Sequence, residues 1–430
     1  MAAGHSVEHE RWVAGFDELV ARIGYRFARV EPRRRVRSLL LGLLAGLPRT
    51  NCWTIAEHAG QRTPDGLQHL LGRAVWDAEK VRDDLRRYVV EHLSQADAVL
   101  VIDETGDLKK GRHTVGVQRQ YTGTAGRIEN AQVAVYLSYA TSRSHAFIDR
   151  ALYLPASWAD DDQRRAAAGV PDGTTFATKP ALAKQMIVRA LEAGTPAGWV
   201  AGDEVYGQDP QLRTALEARG VGYVLGVACT HRVTVHAGPR RVAELAATVP
   251  ASAWQRHSCG PGAKGQRYYV WALIELDEDI GGRHLLVRRN ERTGELAFYR
   301  VFSAHPVPLT AYVTVAGRRW RIEENFQAGK TLAGLDEHQA RTWTSWHRWS
   351  VLAMLAHAFL AVTAAAERAR STDPAPTLIP LTCNEIRHLF IKITQRTLHD
   401  MSHLLRWSRW RRQHQARARR CHYQRQATQP

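Results

Sequence analysis

Cysteine is scarce in this chain of 430 residues, and the few cysteines are scattered. The sequence has five of them and no Cys-x-x-Cys pair: Cys52, Cys229, Cys259, Cys383 and Cys421. This spacing argues against a structural zinc site and against a disulfide framework. A reducing cytoplasm is therefore the expected compartment.

Long hydrophobic runs are also missing. The longest apolar stretches are residues 39–47 and 351–366, and both are shorter than the roughly 20 residues that a membrane-spanning helix needs. Residues 1–12 contain no apolar segment of the kind found in secretory signals. From these patterns we expect no membrane partner.

Acidic residues are too few to balance the basic ones. Lys and Arg number 59 against 42 Asp and Glu, which gives a formal net charge of +17. A surplus of this size indicates a polyanionic partner. A nucleic acid is the favoured interpretation, and an anionic membrane surface is the alternative.

The charge is concentrated at the C-terminal end. Residues 404–430 contain eight arginines and no acid, with Trp407 and Trp410 between them. Arginine binds phosphates and aromatic rings can stack on bases, although a solvated basic end would have the same composition. The predicted DNA-contacting arginines are Arg406, Arg409, Arg411 and Arg412.

The first 95 residues have the pattern of helices. In "WTIAEHAGQRTPDGLQHLLGRA" a short helix ends at Gly60 and a second begins with Thr63 as its N-cap and Pro64 in its first turn. The segment is either a helix-turn-helix or an ordinary helical hairpin, and the positive charge favours the first. Gln68 and Arg73 would then lie on the DNA-facing side of the second helix.

From Ala98 the pattern changes to that of an α/β protein. Period-two and continuous apolar runs predict three or four strands, then a helix at 179–194, a strand, a further helix and another strand. This alternation indicates a layered α/β architecture. Alternating segments with Gly-Pro turns between about 230 and 308 predict a β-rich insertion, after which helices return.

Two of the predicted strands run directly into an acid. Asp103 follows "AVLVI" and Asp203 follows "GWVAG". If the strands are parallel neighbours, both carboxylates lie at the edge where α/β sheets bind ligands.

Glu104 and Glu204 are the next residues after the two aspartates. Because successive strand residues point to opposite faces, we expect the Asp of each pair to face the site. Two close carboxylates need a counter-charge, either Lys or Arg or a divalent metal such as Mg²⁺.

The third candidate acid lies in "RRWRIEENFQAGK", residues 318–330, which has the pattern of an amphipathic helix. Arg319, Glu323 and Lys330 share one helical face, which by itself is typical of a salt bridge on a solvated helix. The segment, however, resembles the third motif of one branch of DDE-type insertion-sequence transposases: Tyr, two residues, Arg, three residues, Glu, six residues, Lys. The Arg, Glu and Lys match in register, whereas Ala316 stands in place of the Tyr.

A second stretch, "DETGDLKKGRHTVGVQRQYTGTAGRIENAQVAV", is similar to a subgroup of the same transposases. The resemblance implies a ribonuclease H-like mixed-sheet core, with Asp103, Asp203 and Glu323 as the catalytic, metal-binding triad. Mg²⁺ would be the cofactor, with Mn²⁺ as a substitute. Arg319 and Lys330 would contact phosphates at the transposon end. Lys109 and Lys110 follow the first Asp and either steady phosphates or, as we favour, form a solvated turn.

The resemblance also fixes the expected organisation of the chain. We predict an N-terminal helical, helix-turn-helix-like DNA-binding domain at 1–95 and the first part of the catalytic core at 96–229. The β-rich insertion spans 230–312 and the closing helices of the core span 313–370. A linker at 371–383 and a basic helical C-terminal tail at 384–430 complete the chain.

The expected activity follows from the same resemblance. The protein would bind the terminal inverted repeats of its insertion sequence, cleave the ends and join the 3′-hydroxyls to target DNA. Its partners would be double-stranded DNA and a second copy of the same chain, with which it would form a homodimer in the DNA complex. The protein would be cytoplasmic and associated with the nucleoid. The alternatives are a ribonuclease H-like nuclease that does not join strands and a domesticated DNA-binding protein.

Overall fold

The computed structural model describes residues 9–262, 265–278, 281–370, 379–394 and 401–428. Most of the predicted linker at 371–383 lies outside the described residues. Within them, the chain divides into two compact units. The first takes residues 9–81, 329–340, 344–370, 379–394 and 401–428, and the second takes 82–262, 265–278, 281–328 and 341–343. The domain boundaries proposed from the sequence stay predictions.

The helices of the described chain are α1 (His9–Gly24), α2 (Val30–Leu44), α3 (Cys52–His58), α4 (Asp65–Gly72), α5 (Ala78–Leu93), α6 (Ala156–Ala159), α7 (Asp162–Ala168), α8 (Lys179–Glu192), α9 (Glu204–Gly207), α10 (Pro210–Glu217), α11 (Val242–Thr248), α12 (Leu309–Arg318), α13 (Arg321–Ala333), α14 (Trp343–Arg370), α15 (Cys383–Thr394) and α16 (Met401–Thr428).

The strands are β1 (Val99–Leu108), β2 (Gln118–Thr122), β3 (Arg127–Ala140), β4 (His145–Leu152), β5 (Trp199–Gly202), β6 (Gly222–Val227), β7 (Arg232–Val235), β8 (Gly238–Arg241), β9 (Gln255–Gly262), β10 (Gly265–Glu275), β11 (Arg283–Arg289) and β12 (Leu296–Phe302).

Helix α14 forms the core of the first unit. It is apolar on all sides, the pattern of a fully buried helix, and Phe359 packs edge-on against Phe16 with ring centroids 5.4 Å apart. By length and composition α14 is the one described helix that could cross a membrane, but 94% of its most apolar window is buried inside the protein. The apolar run at 351–366 therefore belongs to a helix of 28 residues, longer than the run itself indicates.

The two short helices that follow α2 form the predicted hairpin, with one difference. Asn51 caps α3 by accepting hydrogen bonds from two backbone amides, and Gly60 turns the chain at a φ of +72°, a conformation that favours glycine. Pro64, and not Thr63, is the N-cap of α4. The Thr63 hydroxyl instead donates to the Asp65 carboxylate at 3.0 Å.

The basic C-terminal helix packs on this hairpin. The Trp407 indole is fully buried and donates to the Gln61 carbonyl at 2.8 Å. The ring of Trp410 meets Trp53 edge-on at 4.7 Å. These two tryptophans are therefore packing residues, which corrects the interpretation of Trp407 as a ring available for base stacking.

A mixed sheet organises the second unit and confirms the α/β class. Its strand order is β2-β3-β1-β5-β6-β12-β11-β10-β9, with β4 paired to β3. β5 is parallel to β1 and β6, and the remaining pairs are antiparallel. Strand β12 pairs with β6, so four strands of the predicted insertion, β9 to β12, continue the same sheet, whereas β7 and β8 form a separate two-stranded sheet.

Close approach between α9 and β6 holds the end of α9 against the sheet. A Cβ atom added at Gly207 would lie 1.8 Å from the carbonyl oxygen of Gly226. The backbone atoms involved cannot move independently, so only glycine fits at this position.

This contact predicts a stability difference between two glycine substitutions. Gly207→Ala should lower the free energy of unfolding by about 1–3 kcal/mol or more, because the added methyl group overpacks the contact. Gly198→Ala is the matched control, since its Cβ would meet no atom within 4 Å. Chemical denaturation of both variants measures the difference, and equal midpoints would contradict the contact.

Candidate active site

The two aspartates come together because β1 and β5 are parallel neighbours. Val101 is in register with Ala201, and Asp103 and Asp203 each lie two residues further along. Asp203 follows the end of β5 and caps α9, accepting a hydrogen bond from the Val205 amide at 2.9 Å. Asp103 does not end its strand as expected, because β1 continues to Leu108 and pairs there with β3.

Both carboxylates are costly to ionise. Burial raises the pKa of Asp103 well above its usual range, and the negative charge of Asp203 raises it further, while Arg319 lowers it. Burial likewise raises the pKa of Asp203, with a second contribution from Glu104. When both aspartates are ionised, the neighbouring positive charges do not fully compensate the negative charge at this edge of the sheet.

Arg319 supplies a positive charge close to both Asp103 and Glu323. The helix predicted over 318–330 is interrupted, because α12 ends at Arg318 and α13 begins at Arg321. From this turn the Arg319 Nη1 atom lies 3.5 Å from Asp103 Oδ2 and 3.8 Å from Glu323 Oε1. Glu323 is in the first turn of α13, and its side chain is 41% exposed.

Glu104 has partners of its own next to the two aspartates. Its two carboxylate oxygens accept from Lys179 Nζ at 2.7 Å and from the Tyr206 hydroxyl at 2.5 Å. Burial raises the pKa of Tyr206 well above its usual range, so the phenol remains a donor. Sequence reasoning missed Lys179 and Tyr206, because no local pattern connects residues 75 and 102 positions away from Glu104.

The donor set suits a hard divalent cation in its chemistry. Carboxylate oxygens are the ligands that Mg²⁺ prefers, and a cation would favour the ionised form of both aspartates, whose pKa values are raised by burial and by neighbouring negative charge. The described residues nevertheless include no group of three or more His, Cys, Asp or Glu side chains gathered closely enough to hold a metal ion. Arg319 is the positive charge that the structure places between Asp103 and Glu323.

The other predicted contact residues lie in several places. Lys109 is mostly buried, and its Nζ atom is 4.0 Å from Asp107 Oδ2, so it is not part of a solvated turn. Lys110 is exposed. Lys330 lies in the last turn of α13 and belongs to the first unit.

The DNA-contacting residues predicted for the first unit lie on the hairpin and on α16. The exposed ones are Gln68, Arg73, Arg406, Arg409 and Arg412. Arg411 is half-buried and forms an ion pair with Glu57.

Comparisons with known proteins identify the family. A family model described as "DDE superfamily endonuclease" matches residues 25–268. The probable transposase for insertion sequence element IS701 of Microchaete diplosiphon is 30% identical over 199 residues, which are 46% of this chain and 49% of the relative. The chain thus spans about half the length of this relative. The piggyBac transposase, solved by cryo-EM as a synaptic complex with hairpin DNA, covers 91% of this chain and 83% of its own, with 9% identity and a TM-score of 0.48.

The raised pKa of Asp103 predicts a pH-dependent cost to stability. The folded protein retains this proton when the unfolded chain, with a pKa near 3.9, has lost it. The contribution of Asp103 to the free energy of unfolding is therefore greatest below the pKa of the unfolded state. It falls as pH rises through the higher pKa of the folded state. In EDTA, Asp103→Asn should gain stability relative to wild type between pH 4 and pH 8, as measured by chemical denaturation.

Asp203→Asn provides the internal control. It removes the neighbouring charge, so the gain from Asp103→Asn should be smaller in the Asp203→Asn background. A gain that is the same in both backgrounds would show that the two carboxylates do not interact.

Proposed function

The chain belongs to the DDE superfamily of endonucleases, and from this premise we propose that it is a DNA transposase. It binds the terminal inverted repeats of its insertion sequence, cleaves the ends and joins the 3′-hydroxyls to target DNA. The similarity to an insertion-sequence transposase over 46% of the chain supports the proposal, as does the net charge of +17.

The observation that carries the proposal is the pair of aspartates at one edge of the sheet, with a third acid reached through a shared arginine. Asp103 and Asp203 emerge from parallel neighbouring strands, and Arg319 joins Asp103 to Glu323. An antiparallel β2-β3-β1 segment continuing into parallel β5 and β6 supports a ribonuclease H-like core. In this proposal the three acids form the catalytic triad.

A divalent cation belongs to this proposal as the cofactor, because nucleases of this superfamily generally use such metals. Asp103, Asp203 and Glu323 would hold it, and Mg²⁺ with Mn²⁺ as a substitute is the proposed choice. When bound, the metal supplies charge stabilisation for phosphoryl displacement.

The reaction consists of two in-line displacements at one site. In the first, water attacks the phosphodiester at the element's end, and the bond to the departing 3′-oxygen breaks to leave a 3′-hydroxyl. In the second, that hydroxyl attacks a target phosphodiester and releases a new strand end. Arg319 steadies the acids and, with Lys330, contacts phosphate oxygens. No covalent enzyme intermediate is required.

The first unit holds the DNA in this proposal. Gln68 and Arg73 on the hairpin face the terminal sequence, and the exposed arginines of α16 contact the backbone, where each neutralised phosphate releases counterions. Packing of α16 on the hairpin supports joint use of both sets of residues. Two ends must be brought together, so the proposed active form is a homodimer on DNA.

Strand cleavage of a labelled duplex carrying the gene's own flanking end tests the proposal. With Mg²⁺, wild type should nick at the end, and Asp103→Asn, Asp203→Asn and Glu323→Gln should each lower the rate by several orders of magnitude while leaving binding of the end intact. The reason is that each substitution removes a proposed metal ligand.

Glu324→Gln is the matched control, because Glu324 is the next residue on α13 and pairs with Arg321 and His145 instead. It should retain cleavage. Persistent cutting by any triad variant would remove that residue from the triad. Binding without cutting by wild type, under any divalent metal, would favour the domesticated DNA-binding protein. Cutting without joining would favour the nuclease.

A further inference from the structure

A cavity of about 560 Å³ lies directly beside the acids, within the second unit. It reaches from Asp203 and Arg319 to the strands β10, β11 and β12. Three arginines and two acids line it, so the cavity is positively charged beyond the carboxylate edge. Its position next to Asp203 means that a group bound there would be adjacent to the reacting phosphodiester.

Two of the three arginines are already engaged. Arg319 is the counter-charge of Asp103 and Glu323. Arg267 donates from Nη2 to the carbonyl oxygens of Cys259 at 3.2 Å and Gly317 at 3.1 Å. Arg267 thereby ties β9 to α12, and its guanidinium is used within the protein.

The third arginine, Arg288, has no polar partner among the described residues. Its Nε atom is buried and lacks a hydrogen-bond acceptor. Its guanidinium lies over the ring of Tyr269, 4.6 Å from the centroid, which fixes its plane without neutralising its charge. A buried donor without an acceptor is costly, so the arrangement is suited to an anion that arrives from outside.

Arg288, Tyr299 and the active-site Arg319 all line this cavity. Burial raises the pKa of Tyr299, and the positive charges of Arg288 and Arg319 both act to lower it. Arg319 also pairs with Asp103 and Glu323, so the cavity connects Arg288 to the acids. An extended polyanion that reaches the acids can meet Arg288 in the same cavity.

We propose that Arg288, held by Tyr269, binds a DNA backbone phosphate neighbouring the one that is cleaved. The inference rests on the proposed function, because it assumes that DNA is the substrate. A guanidinium offers paired N–H donors that match phosphate oxygens. The site is thus a phosphodiester subsite contributed by β11, separate from the triad.

Arg289 offers a matched control on the same strand. It is the next residue of β11, and its guanidinium also stacks on an aromatic ring, that of Trp254 at 4.2 Å. It does not line the cavity. Arg288→Gln and Arg289→Gln therefore remove the same charge and the same kind of stacking, but only the first removes a cavity donor.

The first measurement is equilibrium binding of the labelled flanking-end duplex at several salt concentrations. Arg288→Gln should weaken binding and reduce the slope of log K against log salt by about 1, the expectation for one lost phosphate contact. Arg289→Gln should leave the slope unchanged. This readout does not depend on cutting, so it still decides the inference if wild type binds but fails to cleave.

The second measurement maps the contacted phosphate. Neutral methylphosphonate linkages are placed one at a time around the cleavage position of the end duplex, and separately in the target duplex. At one linkage, the rate of cleavage or joining by wild type should fall roughly tenfold relative to the unmodified duplex. The rate of Arg288→Gln should not fall further when that linkage is neutral. The duplex that carries this linkage identifies whether the phosphate belongs to the end or to the target.

Three outcomes would overturn the inference. Arg288→Gln could bind and cut as wild type does. Arg288→Gln could cleave more slowly than wild type and still lose the full tenfold in rate at the linkage to which wild type is sensitive, which would indicate a structural role. Arg289→Gln could also show the same salt slope and the same response to the neutral linkages as Arg288→Gln. If wild type neither binds nor cuts the duplex, the proposed function fails first, and the inference fails with it.

Discussion

The burial of two neighbouring carboxylates, Asp103 and Asp203, is the constraint on which the rest of the site depends. Parallel pairing of β1 with β5 brings them to one edge of the sheet, where burial raises the pKa of both and the charge of Asp203 raises that of Asp103 further. A folded protein tolerates such a cost only where the charge has a use or a partner. Arg319 is the partner that the protein itself supplies, and it also brings Glu323 within reach of Asp103.

The remaining parts of the second unit hold these groups in place. Glycine at 207, the last residue of α9, lets α9 lie against β6, and a Cβ added at Gly226 of β6 would lie 3.1 Å from the carbonyl carbon of the cap, Asp203. Gly317 allows α12 to approach the Cys259 carbonyl, where an added Cβ would be only 1.9 Å away. Arg267 closes the same contact by hydrogen bonds. The strands β9 and β10 therefore brace α12, whose C-cap is Arg319, and β11 supplies Arg288 to the adjacent cavity.

Much of this could be predicted from the sequence, for reasons that differ between elements. Apolar runs ending in Asp identified both aspartates, because strand and turn signals are local. The match of Arg319 and Glu323 to a family motif placed the third acid on a helix. The break between α12 and α13 was not predicted, because "RRWRIEENF" has helical periodicity throughout. Pairing of β12 with β6 and the contacts of Lys179 with Glu104 depend on tertiary structure, which a single sequence does not encode locally. The tryptophans of α16 look like base-stacking residues until their packing partners are known.

Metal-dependent thermal unfolding tests the central claim most directly, since it examines the acids without requiring the correct DNA. Wild-type protein stripped with EDTA should gain stability on addition of Mg²⁺ or Mn²⁺, by about 2.7 kcal/mol at a hundredfold excess over the dissociation constant. Asp103→Asn, Asp203→Asn and Glu323→Gln should each lose most of this gain, whereas Glu324→Gln should keep it. An equal gain in wild type and all three triad variants, or no gain in wild type, would contradict the assignment of these acids to a metal site.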